Sequence, residues 1–210
     1  MNISAAQWLR ILCYCGVRFT TAVDWAKVFE AHVQPERFSL QTGELDDFVG
    51  QVLHETQLLE RLEENLNYSA RRLMVVWPSR FPTLADAGAC QYNPEGLANR
   101  VYGGRLGNTE PDDGWAFRGR GALMVTGRAN YAALQGLTGL PLLEQPDLLA
   151  QPITAMRCAV AWWEQNVPDR SMDSVERVTR AVNGGRIGLD DRKALTAKVG
   201  QALVACIDPE

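Results

Sequence analysis

The sequence predicts a mainly helical fold in two lobes. Two observations carry this. Apolar residues recur at helical spacing in long segments at both ends of the chain, and between residues 69 and 113 that spacing breaks into short pieces punctuated by Pro78, Pro82 and Pro94. With 210 residues the chain suits one domain with a substantial core. We read it as 1–210, with a larger lobe of about 1–65 and 115–210 and a smaller lobe of about 66–114. A cleft between two such lobes would suit a polymer chain.

The elements follow in order. Ile3, Ala6, Trp8, Leu9 and Leu12 predict a first helix, capped by Asn2 or Ser4 and ended near Gly16. Thr20 and Thr21 are candidate caps for a second, from Ala22 to Val33. Leu45, Phe48, Val49, Val52, Leu53, Thr56 and Leu59 form the stripe of a third, preceded by Gly43. After Glu60 the apolar period is lost and Asn65 and Asn67 favour a turn. Ser69 caps a short helix to Trp77; others run from Leu84 to Cys90 and from Pro94 to Val101, with Pro94 near the first position. Residues 103–114 are rich in turn formers and read as an exposed loop. Asn130 to Gln135 follows. Then comes a helix from about Ile153 to Asn166, with Ile153, Met156, Val160 and Trp163 as its stripe. Ser174 starts a helix that stops at Asn183-Gly184-Gly185, and Leu189 starts a last one that ends near Ala205.

Composition removes several functions. The net charge of −4 gives no support for a nucleic-acid binder. The apolar run Ile11–Val17 is interrupted upstream by Gln7 and Arg10, so we expect neither a signal peptide nor a membrane span. Five cysteines without a CxxC read as reduced thiols. Two histidines, His32 and His54, exclude a multi-histidine zinc site, and Leu58 breaks any zincin motif. We expect no metal and no cofactor. Arg118-Gly119-Arg120-Gly121 is not a phosphate loop, because Met124 breaks G-x-G-x-x-G.

The chemistry concentrates in Glu55 and Glu64. Glu55 lies at the edge of the third helix's apolar stripe, about 20° from Phe48. Partial desolvation there would raise its pKa, which suits a proton donor. A lone glutamate at such a site is ordinary surface charge. Glu64 follows nine residues later. On one helix that is a rotation of about 180°, so the two carboxylates can serve one site only if the helix ends between them.

Around these residues the chain resembles the chitinase-like family 19 glycoside hydrolases, above all their bacteriophage endolysin branch. The matching stretches run in order. His54-Glu55-Thr56 with Glu64-Asn65-Leu66-Asn67-Tyr68-Ser69 comes first, then Ala98-Asn99-Arg100-Val101-Tyr102. Gly114-Trp115-Ala116-Phe117-Arg118-Gly119-Arg120-Gly121, Val125-Thr126-Gly127-Arg128-Ala129-Asn130-Tyr131 and Val182-Asn183-Gly184-Gly185 complete the set. The resemblance implies a lysozyme-like two-lobed fold and inverting hydrolysis of an amino-sugar polymer. Glu55 is then the general acid, Glu64 the general base, and Thr126 the residue that helps hold the attacking water. Inverting pairs stand roughly 6.5–9.5 Å apart. Asn65, Tyr68, Arg120, Asn130, Tyr131, Asn183 and Arg192 are the matching substrate-binding candidates, and Arg192 would help keep Glu64 ionised. Two positions depart from the family pattern: Met124, where a glutamine is common, and Ile187, where plant members carry a glutamate.

The resemblance also implies a partner: the glycan strands of bacterial peptidoglycan, cut by a monomer. That monomer would be held in the host cytoplasm until a holin-type lesion releases it to the periplasm. Chitin is the alternative substrate. A transglycosylase, which needs one glutamate only, and a non-catalytic peptidoglycan binder are the competing classes.

Overall fold

A computed structural model describes residues 2–40 and 42–207. The described helices are α1 (Ala5–Cys15), α2 (Phe19–His32), α3 (Thr42–Glu55), α4 (Ala70–Val76), α5 (Leu84–Gly88), α6 (Pro94–Tyr102), α7 (Asp113–Ala116), α8 (Arg128–Thr138), α9 (Pro152–Asn166), α10 (Val175–Asn183) and α11 (Leu189–Cys206). Short 3-10 turns add Pro35–Arg37, Pro146–Ala150 and Asp169–Ser171. Among the described residues extended pairing is limited to isolated bridges, Glu63 with Arg120 and Arg120 with Val125. The fold is therefore all-α.

The chain divides into two compact units. One comprises Met1–Leu62, Gly121–Met124 and Leu148–Glu210; the other comprises Glu63–Arg120 and Val125–Asp147. The first unit packs α1, α2, α3, α9 and α11 around buried Trp8, Phe29, Phe48, Val52, Trp163 and Val199. Trp8 meets Phe29 at 4.9 Å, and Phe48 meets Trp163 edge-on at 5.2 Å. The second unit has its own core of Leu66, Leu73, Phe81, Leu97 and Val101.

Local chemistry explains most boundaries. Ser4 caps α1 in a reciprocal box with Gln7, and Gly16 closes the helix in the left-handed region at φ 100°. Ser69 caps α4, Thr83 and Asp86 box α5, and Asn93 followed by Pro94 starts α6. Two expectations need correction. Helix α2 begins at Phe19, before Thr20 and Thr21, because Thr21 gives its hydroxyl hydrogen bond to Glu60 and not to a helix end. On α9, Met156, Val160 and Trp163 are buried, but Ile153 is 62% exposed in the first turn. Loop 103–114 is not loose either. Buried Asp113 accepts from the Thr109 and Glu110 amides and from Arg128, and Arg128 holds its carboxyl down at about 2.

The α3–α11 contact positions the chemistry described below. It is close because Gly50 lacks a side chain: a Cβ there would lie 2.5 Å from Thr196 Oγ1 and 2.9 Å from the Thr196 nitrogen. One carboxylate disturbs α3. Asp47 is 5% exposed, and its Oδ1 has no hydrogen-bond partner among the described residues. Burial, with the neighbouring Asp46 charge, pushes its carboxyl from 3.8 to about 7. The folded state thus binds a proton there that the unfolded chain releases near pH 4. Stability contributed by protonated Asp47 is complete below that pH and is lost as pH rises towards 7. We predict that urea midpoints fall from pH 4.5 to pH 7.5 in the wild type, and that Asp47→Asn removes much of this fall. An equal pH dependence in the variant contradicts the assignment.

Candidate active site

Glu55 is the last residue of α3, so the helix ends earlier than the loss of period after Glu60 suggested. The chain leaves through a turn that its composition does not announce. Gln57, Leu58 and Leu59 are all left-handed, with φ of 51°, 61° and 66°. For non-glycine residues this costs about 1–2 kcal/mol each. Several contacts hold it in place. The Leu58 amide donates to the Leu53 carbonyl at 2.7 Å, the Leu59 amide donates to Thr56 Oγ1 at 2.9 Å, and Leu59 is buried at 4% exposure. Glu55 therefore stands at the mouth of a rigid, strained turn, a setting common at functional sites.

Its carboxylate is bound from α11. Arg192 Nη2 donates to Glu55 Oε1 at 2.5 Å, and the two side chains are 2% and 18% exposed. The same guanidinium donates to Gln51 through Nη1 and to the Ile187 carbonyl through Nε. Arg192, expected to serve Glu64, is thus the fixed partner of Glu55. The Ile187 carbonyl also accepts from Asn183 Nδ2 at 3.2 Å, and Asn183 Oδ1 accepts from the Gly185 amide. Asn183 closes this turn with its own side chain, while the Ile187 side chain is 79% exposed. Beside Glu55, His54 Nδ1 and Asp191 Oδ2 are 2.6 Å apart, a second tie from α3 to α11.

In the second unit Glu64 lies on extended chain next to the Glu63–Arg120 bridge. Its amide donates to the Gly119 carbonyl at 2.9 Å, its Oε1 accepts from the Gly119 amide at 2.5 Å, and its Oε2 accepts from Tyr102 Oη at 2.7 Å. Burial first, then the Glu64 charge, pushes the Tyr102 phenol upward, which keeps it a donor. Thr126 is brought to the same place. A Cβ built on Gly119 would lie 3.1 Å from Glu64 Oε1 and 3.2 Å from Thr126 Oγ1, so both side chains gather over a residue without one. Asn130 Nδ2 donates to the Thr126 carbonyl at 2.7 Å and fixes that turn.

The remaining candidates separate. Asn65 is exposed and folds onto the Asn67 amide; Tyr68 is half-buried with its ring edge-on to Trp77. Arg120 and Tyr131, expected to meet substrate, are interior struts. Arg120 is 1% exposed and bonds Glu63, Asp147 and the Ala116 carbonyl. Tyr131 is fully buried and donates to the Arg118 carbonyl. Both support the Gly119 strip from behind. The residue missed by sequence reasoning is Tyr102. It stood inside the Ala98–Tyr102 stretch, but its link to Glu64 spans 38 residues and no local pattern encodes it. Among the described residues no cluster of three or more His, Cys, Asp or Glu side chains could hold a metal ion.

The comparisons give the class of protein, a glycoside hydrolase. The chain is 38% identical over 147 residues to a glycosyl hydrolase family 19 domain-containing protein of Haemophilus influenzae, a match that takes in 69% of this chain and 72% of that relative. It belongs to glycoside hydrolase family 19. An endochitinase of Arabidopsis thaliana is 34% identical over 91 residues, 43% of this chain and 32% of the plant protein. No protein-family model matches the chain. Among solved structures, chitinase C of Streptomyces griseus superposes with a TM-score of 0.57 at 18% identity, covering 100% of this chain and 79% of the other. A family 19 class IV chitinase of Zea mays gives 0.53 at 17% identity, with 100% and 95% covered. These two show the shared fold.

Two substitutions test the Glu64 arrangement. Tyr102→Phe removes one charge-assisted hydrogen bond and is expected to lower kcat about 10- to 100-fold with KM little changed. Gly119→Ala is expected to displace the Glu64 carboxylate and to lower kcat at least as far. Circular dichroism melts within a few degrees of wild type would show that the fold is retained. Unchanged kcat in both variants would remove Glu64 from the reaction.

Proposed function

We propose that the chain is an endolysin that hydrolyses the glycan strands of bacterial peptidoglycan with inversion at the anomeric carbon. The observation that carries the reading is the setting of Glu64. Two donors hold its carboxylate and the Thr126 hydroxyl lies alongside. That suits a general base drawing a proton from a water which Thr126 helps to hold. Glu55 is the general acid. Arg192 holds its Oε1, which makes Oε2 the atom that gives the proton to the leaving glycosidic oxygen. No metal or cofactor enters this scheme. In the role proposed, the enzyme acts on wall polymer after a membrane lesion releases it from the host cytoplasm. No described helix is long and apolar enough to cross a membrane.

The peptidoglycan assignment rests on the resemblance to the endolysin branch, which runs from about residue 45 to the low 190s. A second reading, hydrolysis of chitin, is favoured by the plant relatives, which are named endochitinases. The two polymers share β-linked N-acetylated amino sugars, so one acid–base pair could serve either.

The test is mass spectrometry of borohydride-reduced products from purified peptidoglycan. Reducible ends are expected, and the reduced sugar identifies the bond. Glu55→Gln and Glu64→Gln are each expected to lower turnover about 100-fold or more while keeping the fold. Anhydro ends, with an active Glu64→Gln, would instead establish a transglycosylase. Binding of the polymer with no new ends would establish a non-catalytic binder.

A further inference from the structure

The first unit contains a cavity of about 630 Å³ that has Glu55 on its wall. It opens where the ends of α1 and α3 meet α11. Leu53, Leu58 and Leu195 supply apolar surface, and the left-handed turn after Glu55 places Gln57 beside Leu58 on the same wall. The cavity is far larger than one acetamido group needs, since pockets of about 300–1,000 Å³ hold ligands of drug size. Among the described residues its lining has no Phe, Tyr or Trp. A pyranose ring, which is bound by stacking on flat aromatic faces, finds no platform here. An arm made of amides and short alkyl groups finds what it needs.

The charges narrow the choice. Both acids on the wall already have cationic or imidazole partners: Glu55 is bound by Arg192, and Asp191 by His54. Lys198 also lines the cavity. It is exposed, and among the described residues it has no salt bridge. Its positive charge reaches the Cys15 thiol inside, although burial dominates there and pushes that thiol to about 12. The cavity therefore presents an apolar floor, an amide at Gln57 and an ammonium without a salt bridge among the described residues. That combination fits a short peptide carrying a carboxylate.

We propose that this cavity receives the stem peptide borne by alternate sugars of peptidoglycan, with Lys198 pairing one of its carboxylates. The inference rests on the peptidoglycan reading above and adds a specificity determinant to it. Chitin, which carries no carboxylate, would leave Lys198 without a partner. The enzyme would then sense the substituent on a sugar next to the bond whose leaving oxygen Glu55 protonates.

The experiment compares kcat/KM on peptide-bearing glycan with kcat/KM on the same glycan stripped of peptides by an amidase. It is run for the wild type, Lys198→Ala, Lys198→Glu and Lys193→Glu. Lys193 is exposed on α11 and does not line the cavity. The wild type is expected to prefer the peptide-bearing strand. Lys198→Ala should lower that preference about threefold, as suits an exposed ion pair, and Lys198→Glu about tenfold. Lys193→Glu should keep the wild-type ratio. If Lys198→Glu keeps it too, the cavity does not read the stem peptide. A wild type that cuts chitin oligomers and neither glycan would overturn the peptidoglycan reading itself, and the cavity assignment with it.

Discussion

Arg192 is a full positive charge placed where water reaches 2% of its side chain. Such a charge is tolerated only when its donors are satisfied. Glu55, Gln51 and the Ile187 carbonyl provide that satisfaction from two different parts of the first unit. The constraint runs both ways. Helices α3 and α11 must be close enough for the ion pair, which Gly50 permits, and the turn before α11 must offer its carbonyl, which Asn183 helps to orient. Much of the first unit's architecture can be understood as the set of contacts that keep this one guanidinium paired.

The second unit solves a related problem by other means. Glu64 has no buried cation bound to it in the contacts described above; its carboxylate is fixed by a phenol and a backbone amide. The adjacent Glu63 takes the cations, binding both Arg118 and Arg120. Two neighbouring glutamates thus do opposite work. One neutralises the buried arginines that brace the Gly119 strip, and the other is presented beside a threonine hydroxyl. Hydrogen-bond donors without net charge can hold a carboxylate in place and still leave its negative charge available to a water molecule.

How much of this was legible in the sequence depends on the range of the interaction. Helix ends written by a side chain and an amide three residues away were readable at Ser4 with Gln7 and Ser69 with Arg72, and Pro94 marked the start of α6, though its Asn93 cap was not read. So were stops where a glycine takes the left-handed conformation, as at Gly16 and Gly184. The turn at Gln57, Leu58 and Leu59 was not, because left-handed backbone is anticipated at glycine or asparagine and none stands there. Thr21 misled for a tertiary reason, its hydroxyl serving Glu60. At the site, residue types and order pointed to Glu55 and Glu64 and the resemblance added Thr126, but partners could not be read. Arg192 and Tyr102 join their glutamates across 137 and 38 residues. The resemblance offered Arg120 and Tyr131 as substrate-binding residues, yet both are interior, the arginine paired with Glu63 and Asp147.

Neither unit is continuous in sequence. The first begins with α1 to α3, is interrupted by the second except for its own Gly121–Met124, and is completed only by the segment from Leu148 onward. A ribosome emitting this chain exposes Glu55 long before Arg192 exists to bind it. Until α11 emerges, α3 lacks a helix against which it packs. Such long-range closure makes folding slow relative to a chain of local contacts. It also means that the arrangement around the proposed acid arises only once α11 has been made. A glycoside hydrolase would gain a form of timing from this, since activity would require a chain that extends through α11 and would be absent from shorter fragments.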